Sequence, residues 1–170
     1  MGLDGMRALV TGAASGIGRA ASTALRDAGA RVIGLDRVPS SEGDGDWVVA
    51  DLTDERQVID AVAGAAERLG GLDILVNCAG IGGDKPFTEI TVADWDRMLG
   101  VHLRGTFLVT HAFFGKMIER SYGRVINFAS QLAYKGAPGL AHYCAAKAGI
   151  VGFTRALSYE GASHGVMVNG

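Results

Sequence analysis

The chain has 170 residues, of which 48% are hydrophobic and 20% are charged, and its formal net charge is −2. This length suits a single domain that buries roughly 70% of the surface its unfolded form would expose. Lys and Arg are scattered along the chain instead of being clustered, which argues against a nucleic-acid patch or a membrane-surface helix, so we expect no nucleic acid and no membrane among its partners.

The start of the chain and the cysteines indicate the cellular setting. The segment MGLDGMRALVTG has no apolar run long enough for a signal peptide or a membrane span. Cys78 and Cys144 match no metal-binding spacing, so we expect reduced thiols, no metal site and a cytoplasmic protein. The clearest polar, loop-like stretch runs from Arg37 to Asp46.

Short apolar segments alternate with helical patterns along the whole chain. We predict six strands, in chain order at Arg7–Val10, Arg31–Leu35, Trp47–Ala50, Leu72–Val76, Arg124–Phe128 and Val166–Val168. Between them we predict helices at Ile17–Ala28, from an N-cap at Thr53 to Leu69, and at Tyr143–Gly161. A further helical region runs from a capping box at Thr91 and Asp94 to about Glu119. This alternation predicts an α/β fold, a doubly wound parallel sheet of about six strands in three layers. Ligands of such sheets bind beyond the carboxyl ends of the strands.

A glycine-rich turn, TGAASGIG, joins the first strand to the first helix. Glycines permit a tight turn and a close approach of the backbone to a diphosphate, which then lies at the N-terminus of the helix. A plain strand-to-helix turn is the alternative, but the position at the first crossover favours dinucleotide binding. The residues predicted to contact the cofactor here are Gly12, Ser15, Gly16, Ile17 and Gly18.

Two acidic residues follow the next two strands. Asp36 lies about twenty residues after the turn, where an acid would bind the ribose hydroxyls and repel a 2′-phosphate, so we predict that NAD(H) is preferred over NADP(H). Arg37 next to it could offset a phosphate, and Asp36 could instead cap a turn. Asp51 could accept a hydrogen bond from the adenine amino group or serve as the turn residue before Thr53, and both interpretations stay open.

Tyr143 and Lys147 lie four residues apart in a predicted helix, so their side chains share one face. A phenol is a weak base at neutral pH, but an adjacent ammonium and an oxidised nicotinamide would favour the phenolate and make the phenol useful in acid–base catalysis. Ser130 ends the fifth predicted strand, where its hydroxyl could donate to a substrate oxygen. A surface Tyr, a solvated Lys and a capping Ser are the structural alternatives.

These motifs together resemble the short-chain dehydrogenase/reductase family. The similarity runs from Arg7 to Asn169 in the family's order and rests on TGAASGIG, Asp36, Asp51-Leu52, Asn77-Cys78-Ala79-Gly80, Ser130 and Tyr143-Cys144-Ala145-Ala146-Lys147. The stretch from Gly123 to Ala148 is similar to the 3-oxoacyl-acyl-carrier-protein reductase branch.

The resemblance implies a Rossmann-type sheet and hydride transfer between a nicotinamide cofactor and a secondary alcohol or carbonyl, with a 3-oxoacyl thioester as one candidate. Ser130, Tyr143 and Lys147 would be the reacting set, with Tyr143 as the acid–base and Lys147 holding the nicotinamide ribose. Leu52, Asn77, Ala79 and Gly80 would line the cofactor site. A homodimer or homotetramer would be the assembly.

One departure concerns His102, which lies where the family usually has an Asn holding a water that relays protons to the Lys. An imidazole can also position water, although it reaches differently and titrates itself. A packed histidine is the alternative. Cys78 replaces a second Asn of the family, and we interpret it as a small buried residue.

Residues 1–170 therefore form one dinucleotide-binding domain, which the resemblance predicts to be truncated before a substrate loop and a last strand. We expect an enzyme. Two alternatives remain: a catalytically silent nucleotide-binding or assembly subunit of the same fold, and a family member with epimerase or dehydratase chemistry.

Overall fold

The computed structural model describes residues 2–39 and 45–170, so residues 40–44 of the predicted polar stretch lie outside the described residues. The elements of the described residues are β1 (Arg7–Thr11), α1 (Gly16–Asp27), β2 (Arg31–Asp36), β3 (Asp46–Val49), α2 (Glu55–Leu69), β4 (Ile74–Asn77), a 3₁₀ turn (Phe87–Glu89), α3 (Val92–Leu99), a π turn (Gly100–Arg104), α4 (Gly105–Glu119), β5 (Gly123–Asn127), α5 (Leu132–Lys135), α6 (Ala141–Ala162) and β6 (Val166–Asn169).

The described strands form one six-stranded sheet in the order β3-β2-β1-β4-β5-β6. Every neighbouring pair is parallel. The chain moves outward from β1 to β3 and then returns to place β4 on the other side of β1, so the order reverses between β1 and β4. The predicted doubly wound parallel sheet is confirmed, and its carboxyl-end crevice lies at this reversal.

Alternating side chains of the strands supply the core on both faces of the sheet. Leu9 of β1 and Leu75 of β4 belong to a buried cluster with residues of α2 and α4. Val10 and Val76, the next residues on the same strands, belong to a second buried cluster, against which the partly buried Leu25 of α1 packs. Since successive strand residues point to opposite faces, the sheet is the middle of three layers.

The termini of two helices show how local polar groups set the element boundaries. The predicted capping box at Thr91 is present, because its hydroxyl accepts from the Asp94 N–H and the Asp94 carboxylate accepts from the Thr91 N–H. The prediction of Thr53 as an N-cap is wrong. Asp54 caps α2 by accepting from the Arg56 and Gln57 N–H groups, while the Thr53 hydroxyl donates to Asp51.

Other boundaries differ from the predictions by one to three residues. β4 begins at Ile74, two residues later than predicted, and the side chain of the preceding Asp73 forms an ion pair with Arg7 at the amino end of the strand. β5 ends at Asn127, so Ser130 lies in the following turn and does not end the strand. α6 begins at Ala141, which adds His142 to the helix that carries Tyr143.

A partly buried ion pair joins β1 to Asp73, the residue before β4, at the amino end of the sheet. The Asp73 carboxylate accepts from Arg7 at its backbone N–H, Nε and Nη2, with distances of 3.0, 2.8 and 2.7 Å. The side chain of Asp73 is 12% exposed. The hydrogen bonds from Arg7 hold the pKa of the Asp73 carboxyl below its usual range.

We predict that Asp73→Asn lowers the free energy of unfolding by about 2 kcal/mol, because it removes the negative charge of a partly buried pair and one of the two side-chain oxygens that accept from Arg7. The folded-state pKa of Asp73 is depressed, so its contribution is present above about pH 4 and is lost as the pH falls further. Urea titrations at several pH values measure both effects. Asp46→Asn is the control, since its pair with Arg68 is exposed and should contribute less than about 0.5 kcal/mol. An equal decrease in the free energy of unfolding in Asp73→Asn and Asp46→Asn would contradict the prediction.

Candidate active site

A cavity of about 1000 Å³ lies at the carboxyl end of the sheet. Its walls come from the turn after β1, the ends of β2 to β4, the π turn and α6. All of the sequence-predicted site residues except Asn77 and Ser130 line it: Gly12, Ser15, Gly16, Ile17, Gly18, Asp36, Asp51, Leu52, Ala79, Gly80, His102, Tyr143 and Lys147. Residues that are up to 135 positions apart therefore share one cleft.

The turn after β1 has the backbone shape that a diphosphate requires. Gly12 and Gly16 have φ angles of +68° and +51°, in the left-handed region that favours glycine. A Cβ at Gly12 would lie 2.7 Å from the Ala79 Cα, and one at Gly18 would collide with the Gly12 carbonyl. At Gly16 a Cβ would meet nothing within 4 Å, so this glycine borders open space at the start of α1. The turn fits the diphosphate of a dinucleotide.

Two side chains hold this turn against the neighbouring strands. The Thr11 hydroxyl accepts from the Cys78 and Ala79 N–H groups, each at 3.1 Å, and so joins the end of β1 to the segment after β4. The Asp36 carboxylate accepts from the Ala14 N–H at 3.0 Å and from the Arg37 N–H at 2.7 Å. Asp36 therefore acts as a turn cap while its charge still borders the cavity beside Arg37.

Asp51 also serves as the turn residue before Thr53, which is the structural alternative predicted for it. Its Oδ1 accepts from the backbone N–H and the hydroxyl of Thr53, at 2.9 and 2.7 Å. These hydrogen bonds lower the pKa of the carboxyl, and the positive charges of Arg37 and Arg97 lower it further. Oδ2 takes part in neither bond to Thr53, so the carboxylate keeps an acceptor at the cavity wall.

Tyr143 and Lys147 lie on one face of α6, as their spacing predicts. The Lys147 Nζ is 5.8 Å from the centre of the Tyr143 ring and donates to the Phe128 carbonyl at 2.5 Å. Lys147 is buried, with 5% of its surface exposed, and burial lowers the pKa of its ammonium. The amino group of Lys147 is therefore held near the ring of the half-buried Tyr143, within the cavity that the glycine turn also lines.

Ser130 lies outside this cavity, in the turn between β5 and α5. It lines an adjoining cavity of about 560 Å³, and Phe128 and Ala129 border both spaces. The Ser130 hydroxyl accepts from the Leu132 N–H at 3.2 Å, which is the predicted capping alternative. Because the hydroxyl uses only a lone pair in that bond, its proton remains able to bond a substrate oxygen.

His102 is buried in the π turn, with 1% of its surface exposed. Its Nε2 lies 2.8 Å from the Ile81 carbonyl oxygen and 3.1 Å from the Ile81 nitrogen, and no partner for Nδ1 is found in residues 2–39 and 45–170. The ring packs edge-to-face on Tyr143 at 5.3 Å, and a Cβ at Gly80 would lie 2.5 Å from its Cε1. Burial lowers the pKa of His102 to about 4, so the imidazole is neutral at physiological pH.

Asn77 does not line the cavity; its side chain belongs to a buried hydrogen-bond network beside it. The Asn77 side-chain amide donates to the Thr110 hydroxyl at 2.9 Å and to the side-chain Oδ1 of Asn127 at 2.8 Å. The Asn127 side-chain amide in turn donates to the hydroxyl of Thr154 in α6 at 2.9 Å. All four side chains are buried. This network joins the ends of β4 and β5 to the helix that carries Tyr143, and the sequence prediction included only Asn77 of it.

The remaining residues that the sequence prediction missed act mainly through hydrogen bonds to the backbone. Thr11 was visible as the residue before the glycine turn, but nothing in the sequence shows that its hydroxyl reaches the segment after β4. The π turn had no sequence signal. Arg97 borders the cavity on α3 and could have been found only from its helical spacing to Val101 and Arg104.

Comparison with known proteins identifies the family. The family model described as short chain dehydrogenase matches residues 6–170. The chain belongs to the short-chain dehydrogenase family. A crystal structure of a candidate short-chain alcohol dehydrogenase from Sinorhizobium meliloti 1021 superposes with a TM-score of 0.92 at 35% identity, over 99% of this chain and 71% of that one. The Rossmann-type fold expected from the resemblance is confirmed.

Curated members of this dehydrogenase family extend the comparison. The chain is 38% identical to D-threitol dehydrogenase of Mycolicibacterium smegmatis, over 98% of its length and 68% of the relative's. It is 40% identical to acetoacetyl-CoA reductase of Shinella zoogloeoides, over 95% and 70%. It is 37% identical to 3-oxoacyl-[acyl-carrier-protein] reductase FabG of Aquifex aeolicus, over 98% and 72%. The expected similarity to that reductase branch is confirmed.

The described residues contain neither a membrane-spanning helix nor a cluster of metal ligands. In residues 2–39 and 45–170, no helix is long and apolar enough to cross a membrane. Within the same ranges, no group of three or more His, Cys, Asp and Glu side chains is placed to hold a metal ion.

The buried imidazole of His102 predicts a pH-dependent stability. Above about pH 6.5 it is neutral in both the folded and unfolded states. As the pH falls from 6.5 towards 4, the unfolded chain takes up a proton that the folded chain does not, so the free energy of unfolding should fall by about 3 kcal/mol from this residue. Denaturant titrations of His102→Asn should lack this part of the slope. The exposed His164→Asn should retain it, and a wild-type slope in His102→Asn would contradict the prediction.

Proposed function

We propose that this short-chain dehydrogenase transfers a hydride between NAD(H) and a secondary alcohol or carbonyl compound, with Tyr143 as the acid–base. The observation that carries the proposal is that Tyr143, Lys147, the glycine turn and Asp36 line the same cavity. A cofactor whose diphosphate lies on the turn after β1 and whose adenosine lies near Asp36 would extend toward α6. Its reactive ring would then be close to the phenol.

A bound nicotinamide supplies the hydride donor or acceptor, and the chain supplies the proton chemistry. When an alcohol is oxidised, the Tyr143 oxygen accepts the hydroxyl proton as the hydride leaves the carbon; in the reverse direction it donates that proton to the new alkoxide. Lys147 holds its cation near the phenol and favours the phenolate. Ser130 donates a hydrogen bond to the substrate oxygen from the other side of Phe128 and Ala129.

His102 is proposed to support proton return to Lys147. Its Nε2 is used by Ile81, which leaves the buried Nδ1 to position a water, as the family's Asn would. His102→Asn would keep a polar group for this role, whereas His102→Leu would remove it.

The substrate is proposed at the level of its reacting group. The names of the relatives cover a polyol dehydrogenase and reductases of 3-oxoacyl thioesters, so we propose a secondary alcohol or ketone, with 3-oxoacyl thioesters as the first compounds to assay. A cytoplasmic homodimer or homotetramer is the proposed form of the enzyme. A silent nucleotide-binding subunit would bind NADH without turnover, and an epimerase or dehydratase would retain its cofactor without net oxidation.

We expect Tyr143→Phe to lower turnover by about 100-fold or more, because it removes the proton donor while leaving the ring in place. Its affinity for NADH should stay within about twofold of wild type. Lys147→Ala should weaken both turnover and NADH binding. Steady-state assays with NADH fluorescence titrations measure the two quantities. Tyr159→Phe, on an exposed position of the same helix, is the matched control. Near-normal turnover in Tyr143→Phe would refute the acid–base assignment.

The Asp36 carboxylate should make NADH bind at least about tenfold tighter than NADPH. At about 4 Å and an effective dielectric near 20, its repulsion of a 2′-phosphate is on the order of 4 kcal/mol per unit charge. Asp36→Asn keeps an acceptor for the Ala14 N–H but removes the negative charge, so it should reduce the difference in affinity between NADH and NADPH. Parallel titrations with both cofactors test this. A wild-type preference for NADPH would overturn the proposal and make Arg37 the determinant.

A further inference from the structure

Arg97 borders the end of the cavity that the adenosine of the cofactor would occupy. It lies in the last turn of α3, is exposed, and lines the cavity together with Asp51, Leu52 and Gly100. Val101 and Arg104 follow it at helical spacings of four and seven, and both also line the cavity. One stripe of this helical segment therefore faces the cleft, opposite the residues that follow β2 and β3.

Within the described part of the chain, Arg97 has no carboxylate partner, unlike the charged side chains near it. Arg104 pairs with Glu55 at 2.5 Å and Lys85 pairs with Asp94 at 2.6 Å. Arg97 forms no ion pair with any residue in the ranges 2–39 and 45–170. Its positive charge does lower the pKa of the Asp51 carboxyl from a longer distance. The charge of Arg37, which lies on a different wall of the cleft, has the same effect.

The chemistry of this corner suits an adenine ring better than a phosphate. Asp51 and Asp96 both line the cavity near Arg97, and their carboxylates would repel a phosphate group. The adenine amino group can donate to the Asp51 Oδ2, while the π face of the ring attracts a guanidinium. Arg is suited to this contact because its cation is planar and weakly hydrated.

We propose that Arg97 stacks its guanidinium on the face of the adenine ring and is a specificity-determining residue for the adenosine half of the cofactor. This inference rests on the proposed function. Asp51 would recognise the amino edge of the ring and Arg97 its face, so the two residues contribute different parts of the selectivity.

The test measures binding and does not require turnover. NADH is titrated by fluorescence and ADP-ribose by calorimetry against wild type, Arg97→Gln and Arg97→Lys. We expect both variants to bind both compounds about fivefold more weakly or worse, since neither side chain offers a planar cation. Arg155→Gln, which removes an equal charge from an exposed position outside this cavity, is the control and should stay within about twofold of wild type. Wild-type affinity in Arg97→Lys would overturn the stacking role.

A modified cofactor separates the two adenine contacts. Nicotinamide hypoxanthine dinucleotide lacks the amino group, so Asp51→Asn should reduce the preference for NAD⁺ over this analogue. Arg97→Gln should weaken both dinucleotides by the same factor. If wild type binds neither NADH nor ADP-ribose, the proposed function fails. If wild type binds both and Arg97→Gln binds them within about twofold, the function stands and the role of Arg97 is refuted.

Discussion

The parallel pairing of β1 with both β2 and β4 is the constraint on which the rest of the site depends. β1 lies where the strand order reverses, so the segments that leave its carboxyl end and those of its neighbours turn to opposite faces and open a crevice between them. The bonds from Thr11 to the segment after β4, and from Asp36 to the turn after β1, link the edges of that crevice. The register of three strands thus sets the shape of the cleft proposed to bind the cofactor.

The helix α6 is held to the same frame by a different kind of contact. Lys147 reaches the Phe128 carbonyl, and Thr154, two turns further along, accepts from Asn127. Two points on one helix face are therefore tied to Asn127, the last residue of β5, and to Phe128, which follows it, and this restricts both rotation and sliding of the helix. Tyr143, the proposed acid–base on α6, would gain precise placement from the sheet without belonging to it. Such placement matters because small displacements of reacting groups are costly.

The sequence predicted the fold and much of the site because those features have local signals. The glycine turn is defined by steric limits at Gly12 and Gly18, and the pair Tyr143 and Lys147 by helical spacing. The errors arose where neighbours compete or where contacts are distant. Thr53 and Asp54 are both residue types that cap helices well. The Thr53 hydroxyl is hydrogen-bonded to Asp51, and Asp54 caps α2. His102 of the π turn contacts Gly80 and Ile81, which lie some twenty residues away, so these contacts leave no periodic pattern in the sequence.

The bond between Asp36 and the Ala14 N–H has a consequence for how this enzyme could diversify. A lineage that replaced the carboxylate with an apolar residue would release the Ala14 N–H in the turn proposed to carry the cofactor. It would therefore lose the proposed nucleotide specificity and loosen the turn in one step. Routes that pass through Asn, Ser or Thr at this position keep a side-chain oxygen near the turn. Changes of nucleotide preference in this protein are therefore expected to follow a narrow mutational path, in which a polar intermediate comes first.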